Sequence, residues 1–188
     1  IKKKYLNKHK KHSKKKLNLK AKKDTVRASI ESVMKEKIMK AVLQRVKFAK
    51  VAVGQAPHPQ QIVGEIAHGV LVYLGLGHDD TLAMGQKMID KILTYRVFEN
   101  EQGKMDKNVQ QVNGGLLLVS QFTLLANSQS GRRPDFKPAM APDTAKALFA
   151  QIVAYAKTQY AAVQTGEFGA DMQVSSCNDG PINFIFEL

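Results

Sequence analysis

From residue 39 onward the chain alternates apolar and polar positions in short runs separated by glycine, proline and acidic residues. Ala41, Leu43 and Arg45 fall on one face of an extended segment and Val42, Gln44 and Val46 on the other. That period of two predicts a strand. Val51–Val53 and Ile62–Ile66 alternate in the same way on either side of Gly54–Gln61, which predicts a hairpin with a long, proline-containing loop. The run from Gly69 to Gly75 is apolar between its two glycines and reads as a buried strand. A period of 3.6 then takes over. Asp79, Asp80 or Thr81 can cap a helix reaching to about Tyr95, with Met88, Ile89, Ile92 and Leu93 on its core side. Leu116–Leu125 is again strand-like. Pro142 and Asp143 open a second helix, since proline fits a first turn and a carboxylate complements the positive end of the dipole. Its stripe is Leu148, Phe149, Ile152, Val153, Ala156 and Tyr160. Two more short strands are predicted near Met172–Ser175 and Ile182–Phe186, separated by Asn178-Asp179-Gly180-Pro181. The pattern predicts an α/β fold: a single domain with a largely antiparallel or mixed sheet and two main helices.

Charge divides the chain differently. Residues 1–38 hold 15 Lys and Arg against 3 Asp and Glu, a balance of +12, whereas residues 39–188 hold 14 against 13, a balance of +1. The overall charge of +13 therefore belongs to the first segment and not to the folded part. Residues 1–23 are dense in lysine and poor in apolar groups, so they are expected to be disordered. Residues 24–38 could form a short helix with Asp24 as its cap and Val26, Ile30, Val33 and Met34 on one face, marginal in isolation. Because Met39 directly precedes the first strand, the working protein is expected to start near Met39, with 1–38 as upstream sequence. The alternative is a basic arm that binds RNA phosphates.

Other features narrow the setting. No apolar run approaches the roughly 18 residues that span a membrane, and no apolar core follows the basic N-terminal stretch as in a signal peptide. Cys177 is the one cysteine, which excludes an intrachain disulfide and points to a reducing, cytoplasmic setting. A lone cysteine is more often a small buried hydrophobe than a nucleophile.

The general catalytic signatures are missing: no phosphate-binding glycine loop, no dinucleotide fingerprint, no paired-histidine zinc motif and no C-x-x-C. His9 and His12 lie in the basic segment, and His58, His68 and His78 read as surface residues without ligand spacing. Two segments resist a purely structural account. In Ser120-Gln121-Phe122-Thr123-Leu124, polar residues interrupt what should be a buried strand, and buried polar groups are costly unless satisfied. Alternation toward solvent, with 120 and 122 on one face and 121 and 123 on the other, explains them without any function. In Asn178-Asp179-Gly180-Pro181, a plain turn is the simple reading, while a cis Gly-Pro bond would aim two carbonyls in a defined direction.

Together these segments resemble the D-aminoacyl-tRNA deacylase family, which carries Ser-Gln-Phe-Thr-Leu and, near its C-terminus, Asn-x-Gly-Pro-Val-Thr. The resemblance spans 39–188 and includes Leu43-Gln44-Arg45-Val46, Tyr95-Arg96-Val97-Phe98, Gly103-Lys104-Met105 and Asn108-Val109-Gln110-Gln111. It continues through Gly131-x-Arg133-Pro134-x-Phe136, Thr165-Gly166-x-Phe168 and Ala170-Asp171-Met172-Gln173-Val174. Ile182-Asn183 departs from the family's Val-Thr, and the loop Gln55–Gln60 looks longer than usual.

The resemblance implies a homodimer that hydrolyses the ester of D-aminoacyl-tRNA, and of glycyl-tRNA including glycine misplaced on tRNA-Ala. It calls for no cofactor, no metal and no membrane partner. Gly180 and Pro181, with Asn178, would form a cis turn that reaches the partner's site and excludes L-amino acids by a clash. Arg45 would hold that turn. Ser120, Gln121, Phe122 and Thr123 would line the catalytic pocket, and Phe136 and Met172 would pack on the terminal adenosine. The substrate's own 2′-hydroxyl would assist the reaction, with backbone N–H groups near Phe122 and Thr123 stabilising the oxyanion. Rival readings are a relative that clears L-amino acids through a trans Gly-Pro turn, and a non-catalytic RNA-binding module led by the basic segment.

Overall fold

In the computed structural model, residues 39–54, 61–128 and 131–188 are described. The expected disorder of 1–23, the helix over 24–38, the start near Met39 as it concerns 1–38, and the long hairpin loop with His58 all lie outside them.

The first strand, β1, is Lys40–Val53, followed by β2, Gln61–Ile66, and β3, Gly69–Gly75. The N-terminal half of β1 pairs antiparallel with β3 (Leu43 opposite Val72) and its C-terminal half with β2 (Lys50 opposite Glu65). One long strand serves two partners in turn, β3 up to Val46 and β2 from Ala49, and the β2 ladder shifts by a residue between Val51 and Ala52, a bulge that bends the bulged strand. Helix α1, Leu82–Thr94, leads to a small hairpin of β4, Phe98–Glu99, and β5, Met105–Lys107. Strand β6, Gly115–Ser120, then lies parallel to β3. Helix α2, Pro142–Gln159, crosses to β7, Val163–Thr165, which lies parallel to β6. The last strand, β8, Met172–Glu187, runs antiparallel along the free side of β1. The sheet is thus mixed, with parallel pairs where helices make the crossover and antiparallel pairs elsewhere.

Each helix forms where the sequence supplies both a stripe and a start. Thr81 caps α1, its side chain accepting from the Met84 amide, while Pro142 and Asp143 occupy the first turn of α2. The two helices cross where Gly85 meets Ile152: a Cβ on Gly85 would lie 2.4 Å from Ile152 Cγ1. Met88, Ile89, Ile92, Leu148, Phe149 and Ile152 pack with Leu43, Val72, Leu116 and Leu118 from one face of the sheet. Each such side chain contributes roughly 1.5–3 kcal/mol on burial. The opposite face carries a smaller cluster of Val46, Val51, Ile66, Leu71, Leu117 and Val119. Sheet curvature closes this second cluster, bringing β2 onto β7 so tightly that a Cβ on Gly64 would lie 2.2 Å from the Thr165 carbonyl oxygen.

Two expectations need correction. The strand predicted over Leu116–Leu125 stops at Ser120, and Phe122–Leu125 forms a 3-10 turn. Gln121 still donates its amide to the Leu74 carbonyl, the last rung before the chain turns away. The two short C-terminal strands are one, because both halves continue along the same partner, β1. No helix among the described residues is long and apolar enough to cross a membrane.

Candidate active site

Where β6 ends, the chain turns away from the sheet, and a cavity of about 600 Å³ opens beside it. Ser120, Gln121 and Phe122 contribute one wall, Phe136, Ala139 and Met140 another, and Phe168, Gly169, Ala170 and Met172 a third. Leu74 and Leu76 close the floor with Val119 and Val174. The volume suits a nucleoside-sized ligand, and the apolar walls suit a flat ring. At the mouth, Phe122 and Phe136 stand 4.9 Å apart between ring centroids and meet edge to face, at 61°. They are 57% and 37% exposed, an unusual degree for two phenylalanines in contact.

Thr123 stands beside the cavity, outside its lining, and is exposed. Its hydroxyl accepts a short hydrogen bond from Gln121 Nε2, so this hydroxyl is engaged by an amide and not by a base. The 3-10 turn begins without a side-chain cap at Gln121. Its first backbone N–H groups, those near Phe122 and Thr123, have no partner within the turn.

The wall that holds Phe136 is pinned from several sides. Asn127 and Asp135 exchange backbone hydrogen bonds of 2.8 and 3.3 Å. The Asp135 carboxylate accepts from the Lys137 amide, and His78 meets the Lys137 carbonyl and donates its own amide to Pro138. His78 is exposed, in keeping with its surface reading, and it also fixes a wall of the cavity.

The second segment lies elsewhere on the subunit. Asn178 pairs with Val46 and Asn183 with Gln44, so residues 179–182 loop out opposite Arg45 alone. Gly180 has φ +120°, which disfavours any side chain, and the Gly180–Pro181 peptide is cis. Both residues are exposed. Arg45 points inward, 7% exposed, on the face shared with Ala41 and Leu43. Its Nε lies 3.0 Å from Asp179 Oδ2 and its Nη1 donates to the Val97 carbonyl at 2.8 Å. The Asn178 side-chain Oδ1 accepts from the Ile182 amide, closing the loop upon itself. Asn183 accepts from both Asn178 Nδ2, at 2.6 Å, and Gln44 Nε2, at 3.1 Å. An oxygen acceptor at 183 is thus what this loop uses, and the departure from the family's threonine keeps one.

The structure therefore gathers Ser120, Gln121, Phe122, Phe136 and Met172 at one cavity and groups Arg45, Asn178, Gly180 and Pro181 at another place. None of the second group lines the cavity of its own chain. Sequence reasoning missed Asp179, the partner of Arg45, and Asn183, the brace of Asn178. It also assigned no site role to Phe168, Gly169 and Ala170. An arginine on an apolar strand face was the available signal for Asp179, because a buried guanidinium demands an anion.

A family model described as D-Tyr-tRNA(Tyr) deacylase matches residues 42–187. A D-aminoacyl-tRNA deacylase of Psychrobacter arcticus is 63% identical over 155 residues, spanning 80% of this chain and 99% of its own length. One from Acinetobacter baumannii is 58% identical over 150 residues, with the same coverage. Among solved structures, a c-Myc DNA unwinding element binding protein superposes with a TM-score of 0.73 at 38% identity, over 79% of this chain and 98% of that one. A probable eukaryotic D-amino acid tRNA deacylase shares the fold, with a TM-score of 0.67 at 17% identity over 80% of this chain and all of that one.

Proposed function

Since the chain belongs to the D-Tyr-tRNA(Tyr) deacylase family, we propose that it is a hydrolase that cleaves the ester between a D-amino acid and the 3′ end of tRNA, releasing both. The observation that carries the reading is the cavity at the end of β6, where Ser120, Gln121, Phe122, Phe136 and Met172 converge from three separate stretches of chain.

The finer mechanism is part of the proposal. Phe136 and Met172 take the terminal adenosine, and stacking on an aromatic ring contributes roughly 1–3 kcal/mol without reading sequence. That suits an enzyme acting on many tRNAs. The ester carbonyl lies toward the N–H groups of Phe122 and Thr123, which stabilise the oxyanion as charge develops. No base engages the Thr123 hydroxyl among the described residues, which favours attack assisted by the substrate's 2′-hydroxyl over a protein nucleophile. In a homodimer the loop 179–182 of each subunit closes the partner's cavity. Two facts support this: the loop does not reach the cavity of its own chain, and the strands that flank it expose Ile185 (72%) and Phe48 (45%). Apolar groups so placed are covered favourably by a second copy. Gly180 and Pro181 then present backbone where an L-amino acid would put its side chain. A D-amino acid avoids the clash, and glycine evades it altogether, so glycyl-tRNA is cleaved as well. The setting is cytoplasmic, where aminoacylated tRNA is found.

Incubating the full chain with D-Tyr-tRNA and L-Tyr-tRNA and following released tyrosine tests the reading. Loss of the D-ester alone is expected. Equal loss of both overturns the chiral filter, and loss of neither overturns the hydrolase.

A further inference from the structure

We propose that Arg132 and Arg133 bind the phosphates of the tRNA's 3′ strand just outside the cavity; this rests on the deacylase reading above. Four arginines lie among the described residues. Arg45 holds Asp179 and Arg96 holds Asp106. Arg132 and Arg133 are exposed, and neither is in an ion pair among the described residues. Nearby Asp135 is already engaged, by the Lys137 amide and ammonium. Two adjacent guanidinium groups without an ion-pair partner among the described residues stand out on a segment, 39–188, that balances to +1.

Their position gives the charge a target. Arg133 is three residues from Phe136, and three residues of chain span at most about 10 Å. Phe136 lines the cavity, and the segment between is stiffened by Pro134 and anchored by the Asn127–Asp135 bridge. A terminal adenosine seated against Phe136 leaves its preceding nucleotides at the mouth, each with a phosphate. The planar guanidinium fork matches phosphate oxygens in geometry as well as charge. The cavity is largely apolar and supplies no such partner, so the pair adds affinity for the polynucleotide that the ester alone does not provide. Phosphate contacts carry no sequence information, in keeping with a substrate defined by its amino acid.

The test compares wild-type full chain with Arg132→Glu/Arg133→Glu on two substrates: D-Tyr-tRNA, and D-tyrosyl-adenosine, which keeps the ester and lacks every phosphate. The expected result is a KM for D-Tyr-tRNA raised about tenfold or more, with D-tyrosyl-adenosine hydrolysis within about twofold of wild type. The neutral pair Arg132→Ala/Arg133→Ala should flatten the salt dependence. Two single-strand phosphate contacts contribute a slope of about 1.4, so wild-type kcat/KM on tRNA should fall about sevenfold further than the variant's between about 50 and 200 mM salt. An unchanged KM and salt slope overturns the proposal, as does an equal loss on both substrates. Wild-type protein that cleaves neither ester sinks the deacylase reading, and this inference with it.

Discussion

At the scale of single residues, the interior contains charges whose partners decide what they cost. Arg45 is enclosed with Asp179 and the Val97 carbonyl. Replacing it by Met leaves both without a partner, and Asp179 is partly open to water. Arg45→Met should therefore lower stability by about 2 kcal/mol, somewhat less than breaking a fully buried pair, measured by urea unfolding at fixed protein concentration. Asp80 is the other enclosed charge. Burial raises its pKa, against the lowering effect of the Gly77 amide that it accepts from. A carboxyl raised in the folded state binds more protons there than in the unfolded chain. Its contribution is therefore present at low pH and lost as pH rises through the folded value. The stability of Asp80→Asn relative to wild type should improve as pH rises above about 4, the ordinary carboxylate value, and level off once Asp80 is ionised in the folded state; a flat difference would show the side chain is better solvated than its burial indicates. Thr123 makes a third test. With its hydroxyl bonded to Gln121, Thr123→Ala should keep activity within about tenfold of wild type, whereas losing a nucleophile costs about 10⁴ or more.

Among the elements, the helix pair depends on a residue with poor helix propensity. Gly85 sits within α1, where alanine would normally gain about 1 kcal/mol. Yet a Cβ there would lie 2.4 and 2.5 Å from Cγ1 and Cδ1 of Ile152, a fully buried side chain on α2. Overpacking of this kind costs about 1–3 kcal/mol, so Gly85→Ala should destabilise by about 1 kcal/mol net, read as a lower denaturation midpoint. The end of β6 shows a similar conflict between local and tertiary demands. Ser120–Leu124 has the composition of a strand, but Leu125 turns back onto Gly75, so closely that a Cβ added at Gly75 would lie 2.3 Å from its Cδ2. Straight continuation gives way to a 3-10 turn, and that departure opens the cavity.

For the whole molecule, the cavity and the Gly-Pro loop occupy different places on one chain, and the proposed chemistry joins them through a partner. Sedimentation should give twice the 20.8 kDa of one chain. Ile185→Lys places a charge on the most exposed large apolar side chain described. It should shift the protein toward monomer and reduce D-Tyr-tRNA hydrolysis while leaving the circular dichroism spectrum unchanged; a variant that remains dimeric and active would place the interface elsewhere.

Much of this was legible in the chain itself. The period of two in β1, the period of 3.6 in both helices, and the proline and acid opening α2 are local signals, and each element formed where its signal lay. The mixed α/β class followed from their order. The polar residues at Ser120–Thr123 stood out against apolar neighbours, but alternation toward solvent explained them too, and Asn178–Pro181 read as a plain turn; it was the family resemblance that joined the two segments into a candidate site. What the chain could not specify locally were the relations between distant segments. That β8 is one strand with four residues looped out depends on β1 pairing with both of its halves. The partnership of Arg45 with Asp179 bridges more than a hundred residues. The gathering of Phe122, Phe136 and Met172 around one cavity required the sheet to curve and β6 to end. Periodicity encodes which face of an element is apolar; which faces meet, and where a gap is left between them, is decided only when the packed elements exclude one another.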